Sequence, residues 1–182
     1  MGVLTIARAL TRPARRLSGD RRGAASLEFV VVFPLLFAVI AALMEVGLLA
    51  ARFILLDRGL DIAARELRLG QLADPTHDTI KTRVCEAAVV LINCERDLLL
   101  ELRVMEYASA YPRNQAQCVD RAALVKPKVT FSTGPRGEVM FIRACVIVDP
   151  IFPGIGVGLV LPKDNTGGYQ MISYTAFKNE PA

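Results

Sequence analysis

The sequence predicts an α+β protein, in which a long N-terminal helix precedes a small helix and an antiparallel sheet. Three observations support this class. Residues 29–51 form an apolar run of 23 residues, and residues 53–67 continue it with the spacing of an amphipathic helix. Beyond residue 97, short apolar runs alternate with glycine-containing turns, as expected of strands. All four cysteines lie beyond residue 84, which indicates a small domain stabilised by disulfides.

The positive charge of the chain is concentrated at its N-terminus. The 182 residues have a net charge of +4, yet residues 1–23 hold six arginines and one aspartate, a net charge of +5. The other 159 residues therefore have a net charge of −1. A surface that binds nucleic acid needs cations spread over a folded face, so this distribution argues against nucleic acid as a partner.

The apolar run is long enough to cross a membrane. At ~1.5 Å per residue, a helix over residues 29–51 spans the ~30 Å hydrocarbon core of a bilayer, and its only ionisable residue is Glu45. A cleavable secretory signal has a shorter apolar region, of ~7 to 15 residues. The arginines before the run predict that residues 1–23 stay in the cytoplasm and that the rest of the chain is exported.

The helical pattern continues past the membrane run. We expect one helix over residues 24–70, ending at Gly70, whose second half is amphipathic and covered by the sheet. The chain then divides into a basic leader (1–23), this helix and an exported domain (71–182). The apolar stripe of the second half recurs at spacings of three and four residues and comprises Phe53, Leu56, Leu60, Ala63 and Leu67.

The junction between leader and helix carries a processing motif. Residues 21–29 read RRGAASLEF, which resembles the cleavage site of class III signal peptides, the type IV prepilin kind. In that family a membrane aspartic peptidase cuts after the glycine and leaves the apolar helix on the mature protein. The resemblance, which is nearest to the type IVb or Flp subgroup, implies a cut between Gly23 and Ala24. Glu28 would then be the fifth mature residue, followed by Phe29.

The similarity extends to a particular family. Residues 23–65 are similar to the TadE-like family of the tight-adherence (Flp) pilus system, and residues 177–181 resemble the close of its pseudopilins. The resemblance implies a minor pseudopilin with a pilin-like fold, in the bacterial inner membrane with its C-terminal domain in the periplasm. The implied partners are a prepilin peptidase, other pilin and pseudopilin subunits, the inner-membrane Tad assembly platform and membrane lipid.

Three residues of the long helix are candidates for subunit packing: Glu28, Pro34 and Glu45. A charged carboxylate costs roughly 2.5 to 3.5 kcal/mol at the bilayer centre, so each glutamate needs a partner or a place at the interface. Glu28 either pairs with the new ammonium group of Ala24, on the same or a neighbouring subunit, or lies at the interface near the helix N-terminus. Glu45 either meets a partner helix or lies near the periplasmic boundary. Pro34 is tolerated in a membrane helix as a kink.

The even number of cysteines in the exported part predicts two disulfides. The sequence allows three connectivities. We favour Cys85–Cys94, which would clip the end of a helix to the following strand, and Cys118–Cys145, which would fasten an irregular segment to the sheet. A zinc site is the weaker interpretation, because no Cys-x2-Cys pair occurs and His77 is the only histidine.

The exported domain contains further helix and strand patterns. A helix is predicted with Thr76 or Asp78 as its cap, and the residues between the second and third strands predict a hairpin turn. The predicted ranges are a helix over 76–91, a strand over 98–107, a hairpin of 127–133 with 138–149 around the turn 134–137, and a last strand over 169–177.

No catalytic motif stands out, and we expect neither enzymatic activity nor a cofactor. The glycine-rich residues 154–158 lack the GxGxxG spacing and are not followed by a helical pattern, so they predict a mobile apolar loop that, if exposed, touches the membrane or a neighbouring subunit. His77 is expected at the surface, and Glu95 and Asp97 are expected to face water. The alternative function is an uncleaved single-pass anchor with a periplasmic binding or scaffold domain.

Overall fold

A computed structural model of the chain describes residues 24–72, 74–105, 116–123 and 127–180. Gly23 and the arginine leader lie outside these ranges. The described chain divides into two units, of which the first ends at Ala41 and the second begins at Ala42. The long helix α1, Ala24–Arg68, begins in the first unit and ends in the second.

In the first unit, α1 is exposed on all sides. From residue 27 to residue 40 its large apolar side chains are 47–70% exposed. The rings of Phe29, Phe33 and Phe37 stack along one side of the helix, with centroids 5.0 and 6.3 Å apart. The helix continues through Pro34. A helix that is apolar all round and unburied is the kind that contacts lipid or other helices rather than water.

In the second unit, α1 buries a stripe of small and aliphatic side chains under the sheet. Leu56, Leu60 and Ala63 are almost fully buried, as their spacing predicts. Phe53 is an exception, because it is 45% exposed and the buried position at that level belongs to Arg52. The predicted apolar face therefore begins at Leu56.

The last residue of α1 is Arg68, and Gly70 is the helix stop that the sequence predicts. Gly70 has φ +63°, a left-handed conformation that glycine adopts without a steric penalty. The N–H groups of Gly70 and Gln71 donate back to the carbonyls of Leu67 and Glu66, at 3.1 and 3.0 Å. These two bonds form a Schellman motif and satisfy carbonyls that the helix end would otherwise leave unpaired.

The second helix, α2, spans His77–Ala87. Thr76 is its cap, since its Oγ1 accepts a hydrogen bond from the N–H of Thr79 at 3.2 Å. The predicted helix was four residues too long, because Ala88 already has a non-helical conformation and closes the last turn. A short helix, α3, follows at Cys94–Asp97 and leads directly into the first strand.

The sheet has three antiparallel strands in the order β1–β2–β3: Leu98–Met105, Val139–Val148 and Tyr169–Lys178. Leu102 of β1 is opposite Ile142 of β2, which is in turn opposite Thr175 of β3. The helices cover one face of this sheet. The core between sheet and helices includes alternate strand residues: Leu98, Leu100, Leu102, Met140, Ile142, Ala144, Val146 and Met171.

The predicted hairpin of residues 127–133 with 138–149 is wrong. The earlier segment lies beside β1 instead, where the N–H of Leu102 donates to the carbonyl of Thr130 at 3.0 Å and the N–H of Ser132 donates to that of Leu102 at 2.9 Å. The reason is that β1 and β3 occupy both edges of β2. Residues 127–133 therefore cannot pair with β2, and they lie along the outer edge of β1 instead.

The disulfides are Cys85–Cys94 and Cys118–Cys145, the pairing favoured from the sequence. The first joins the end of α2 to the start of α3, just before β1. The second ties the segment around residue 118 to the centre of β2. Each closes a loop of the unfolded chain and is expected to contribute roughly 3 kcal/mol to stability by the loop-entropy argument.

Asp97 was expected to face water, and this was wrong. It is 2% exposed, and Arg96 forms a bidentate ion pair with it, at 2.7 Å from Nε to Oδ1 and 2.9 Å from Nη2 to Oδ2. The hydrogen bonds that Arg96 donates to Asp97 raise the pKa of Arg96. The local sequence hides this burial, because Asp97 lies at the junction of α3 and β1, where the sheet covers it. Glu95, its neighbour, is exposed as expected.

Candidate membrane and assembly interface

The residues of the processing motif that the structure describes lie in the first turns of α1. The helix begins at Ala24, the residue that cleavage would leave as the N-terminus. Glu28 and Phe29 are exposed, and Phe29 is 63% accessible. Gly23 lies outside the described residues, and so therefore does the Gly23–Ala24 peptide bond where cleavage is expected.

Glu45 lies in the second unit, completely buried within its own chain. Its Oε2 accepts hydrogen bonds from the backbone N–H groups of Ile151 and Phe152, both at 3.0 Å. Its Oε1 is buried and has no partner among the described residues. Hydrogen bonds from N–H groups to a carboxylate are stronger than neutral ones, and they reduce the cost of an acid in an apolar helix. Neither sequence-based expectation for Glu45 included this contact inside the chain.

Arg52 lies two turns beyond Glu45 on the same face of α1. It is 6% exposed, and its Nη1 donates to the carbonyl of Asp149 at 3.0 Å and to the hydroxyl of Tyr169 at 3.4 Å. Burial raises the pKa of Tyr169, although the hydrogen bond from Arg52 opposes that shift. An acidic and a basic side chain on one helix face thus hold the backbone that follows β2, over residues 149–152. We call this arrangement the helix–loop joint.

A second group of polar residues lies behind the helix–loop joint. Arg121 binds the carboxylate of Asp149 through both Nη atoms, at 2.8 and 2.6 Å, and also donates to Oγ1 of Thr166. The hydrogen bond from Arg121 lowers the pKa of Asp149. Asp164 accepts hydrogen bonds from the N–H groups of Thr166 and Gly168, both at 2.9 Å. These contacts connect the segment that follows Cys118 to the turn before β3.

The glycine-rich residues predicted to form a mobile apolar loop are packed against α1. A Cβ added at Gly156, which has φ +56°, would lie 2.6 Å from the Cβ of Ala42, so loop and helix approach as closely as a glycine allows. A single short turn of helix, α4, spans Val157–Val160, although the sequence predicted no helix after the glycines. Leu159 and Val160 point outward, at 64% and 81% exposure.

His77 is the first residue of α2, and its ring contacts Phe131 edge-on, with centroids 5.6 Å apart. Its Nδ1 lies 3.3 Å from the exposed carboxylate of Asp78. The side chain is 28% exposed, so it is a half-covered surface residue.

The C-terminal segment that resembled the close of pseudopilins fastens the other end of α1. Glu180 binds Arg68 through Nε at 2.8 Å, and its N–H donates to the Arg68 carbonyl at 3.2 Å. Asn179 donates from its side chain to the carbonyl of Thr133 at 2.9 Å. A cavity of about 270 Å³ lies beside these contacts, lined in part by Gly70 and Phe177.

Sequence reasoning missed Arg52, Arg121 and Asp149. A usable signal existed for Arg52, because seven residues separate it from Glu45 and four separate it from Leu56, so all three lie on one helical face. Arg121 and Asp149 had no local signal. They meet only because the Cys118–Cys145 disulfide and the sheet bring distant segments together.

The fold and the helix–loop joint define a class of protein: a small α+β domain whose first helix is an apolar candidate for a membrane span. This single helix is compatible with a single-pass membrane anchor. The family model described as TadE-like protein matches residues 23–65, from the last residue of the leader through most of α1. The match confirms the TadE-like resemblance and supports a role associated with the Tad pilus. No curated protein and no solved structure matches the chain significantly.

Proposed function

We propose that this chain is a minor pseudopilin of the Tad (Flp) pilus system. In this proposal a prepilin peptidase removes residues 1–23, the apolar part of α1 holds the protein in the inner membrane, and residues 71–182 lie in the periplasm. The chain then joins or primes pilus assembly by contacts with other pilin and pseudopilin subunits and with the inner-membrane assembly platform. The proposal assigns no chemical reaction to the chain itself.

One observation carries the proposal: the TadE-like match coincides with a helix that begins at Ala24 and exposes its large apolar side chains on every side over residues 27–40. Such a helix is costly in water, because each exposed large side chain forgoes ~1.5 to 3 kcal/mol of burial. It is suited to a bilayer and, after extraction, to packing among other pilin helices. The two disulfides of the domain agree with an oxidising compartment such as the periplasm.

The test is coexpression of the full chain with its cognate prepilin peptidase, followed by N-terminal sequencing. We expect the mature protein to begin at Ala24. Replacing Gly23 by leucine is expected to abolish cleavage, because a side chain at that position obstructs an active site built for glycine. A matched control is Gly47→Leu, since a Cβ at Gly47 meets nothing within 4 Å and the residue lies far from the cut.

The alternative of an uncleaved anchor with a scaffold domain gives the opposite result. A protein that still begins at Met1 in piliated cells would contradict processing and favour that alternative. Cleavage of both the wild type and Gly23→Leu would show that the cut lies elsewhere, and it would refute the assignment of Gly23.

A further inference from the structure

The loop after β2 has an unusual composition for a surface segment. Residues 150–162 contain thirteen consecutive residues without a charged side chain, bounded by Asp149 and Lys163. Three of its outward side chains are large and apolar. They are Ile151, Leu159 and Val160, which are 52%, 64% and 81% exposed, respectively. Soluble surfaces rarely collect apolar residues in this way without a partner.

The loop is held against a part of α1 that belongs to the apolar run. Ile151 and Phe152 are bonded to Glu45, and Gly156 lies against Ala42. Along a helix, Ala42 lies about 20 Å and Glu45 about 24 Å beyond Phe29. Both distances are within the ~30 Å thickness of a bilayer core. Residues tied to them must lie at a similar depth. Beside them on α1, Leu43 and Met44 are 67% and 60% exposed.

Part of the loop's backbone is hydrogen-bonded inside the protein. Three of its thirteen residues are prolines, which have no N–H group. Of the other ten, five donate their N–H within the protein: Ile151, Phe152, Ile155, Leu159 and Leu161. Each such bond lowers the cost of placing irregular backbone in an apolar environment.

Charged residues bound the loop at both ends, at Asp149 and Lys163. Nζ of Lys163 donates to the carbonyl of Pro153 at 2.9 Å, and the ion pair of Arg121 with Asp149 lies behind the helix–loop joint. This sequence of apolar tip and charged base is the arrangement of segments that lie in the headgroup region with apolar side chains in the acyl chains.

From these observations we infer that residues 150–162 insert into the outer leaflet of the membrane beside α1, with lipid as their partner. Glu45 and Ala42 set the depth of the loop, and Ile151, Leu159 and Val160 contact the acyl chains. The domain thus has a second, shallow membrane attachment besides its helix. This inference rests on the membrane span of the proposed function, but it requires neither cleavage nor pilus assembly.

The chain contains no tryptophan, so one introduced tryptophan reports a single position. The full-length protein is reconstituted alone in phosphatidylcholine vesicles, with or without brominated acyl chains as quencher. The loop variants are Leu159→Trp and Val160→Trp, both at exposed sites that tolerate a larger side chain. Leu36→Trp, within the apolar run, reports the membrane span. Tyr174→Trp, an exposed aromatic in β3, is the matched control on the domain.

We expect brominated lipid to quench both loop tryptophans several-fold more than Trp at position 174, with blue-shifted emission and little quenching by aqueous iodide. Loop tryptophans that are quenched by iodide and not by brominated lipid would overturn the inference. Protection from both quenchers would also overturn it, since it would indicate a second copy of the chain over the loop. If only Leu36→Trp is quenched by lipid, the span stands and the loop insertion fails. Loss of lipid quenching at all positions would contradict the membrane span itself.

Discussion

At the scale of single residues, the least expected feature is that Glu45 has its hydrogen-bond partners within its own chain. Its carboxylate receives two backbone N–H groups from the loop after β2, and Arg52 binds the same stretch of backbone two turns later. An acid in an apolar helix is thereby stabilised without another subunit. The hydrogen bonds of Glu45 and Arg52 fix the position of residues 149–152 against α1.

We expect Glu45→Leu to lower the stability of the folded domain by roughly 2 to 3 kcal/mol, because two buried N–H groups lose their acceptor. Glu45→Gln should restore part of that loss, since its amide oxygen still accepts. The measurement is thermal unfolding of the full chain in detergent. Met44→Leu, at the exposed neighbouring position, serves as control and should change little. An unaltered unfolding temperature for Glu45→Leu would contradict the structural role of this carboxylate.

At the scale of elements, the approach of α1 to α2 depends on one glycine. A Cβ at Gly59 would lie 2.6 Å from the carbonyl oxygen of Val84 and 3.4 Å from Cβ of Ala87. The backbone of α2 therefore packs directly on α1. This contact holds α2 where Cys85 can form its disulfide with Cys94. The positions of α3 and β1 therefore also depend on it.

Gly59→Ala is expected to destabilise the domain by about 1 to 3 kcal/mol, because a rigid backbone atom must move to admit the methyl group. Gly47→Ala on the same helix is the matched control. A Cβ there meets nothing within 4 Å, so it should be neutral or stabilising by up to ~1 kcal/mol through helix propensity. Denaturant unfolding measures both, and equal effects of the two substitutions would refute the close helix packing.

At the scale of the whole molecule, the basic leader, the span and the disulfides all imply one topology. Under the positive-inside rule we expect the arginines to stay in the cytoplasm and the cysteines to lie on the far side of the span. A phosphatase that is active only in the periplasm should be active when fused after residue 180 and inactive when fused before residue 24. A nonreducing peptide map of the same membranes should contain Cys85–Cys94 and Cys118–Cys145. Four free thiols, or activity of the N-terminal fusion, would contradict this topology.

The accuracy of the sequence-based predictions followed the range of the interactions concerned. The helix stop and the helix cap depend on neighbours within a few residues, so Gly70 was predicted as the stop and Thr76 as one of two candidate caps. The strand over residues 127–133 was paired wrongly, because β1 and β3, which are distant from it in the chain, take both edges of β2. Asp97 was judged by its polarity, while its burial comes from the sheet and from Arg96.

The sequence by itself determined the order of leader, apolar helix and disulfide-bonded α+β domain, together with the TadE-like resemblance over residues 23–65. These properties can be predicted from composition, periodicity and short motifs, because they depend on residues that are close together in the chain. Only the tertiary structure decided that Glu45 and Arg52 hold the loop after β2 and that Arg121 meets Asp149. Such contacts join residues about a hundred, or a few tens, of positions apart, and their partners are selected by how the helix packs on the sheet.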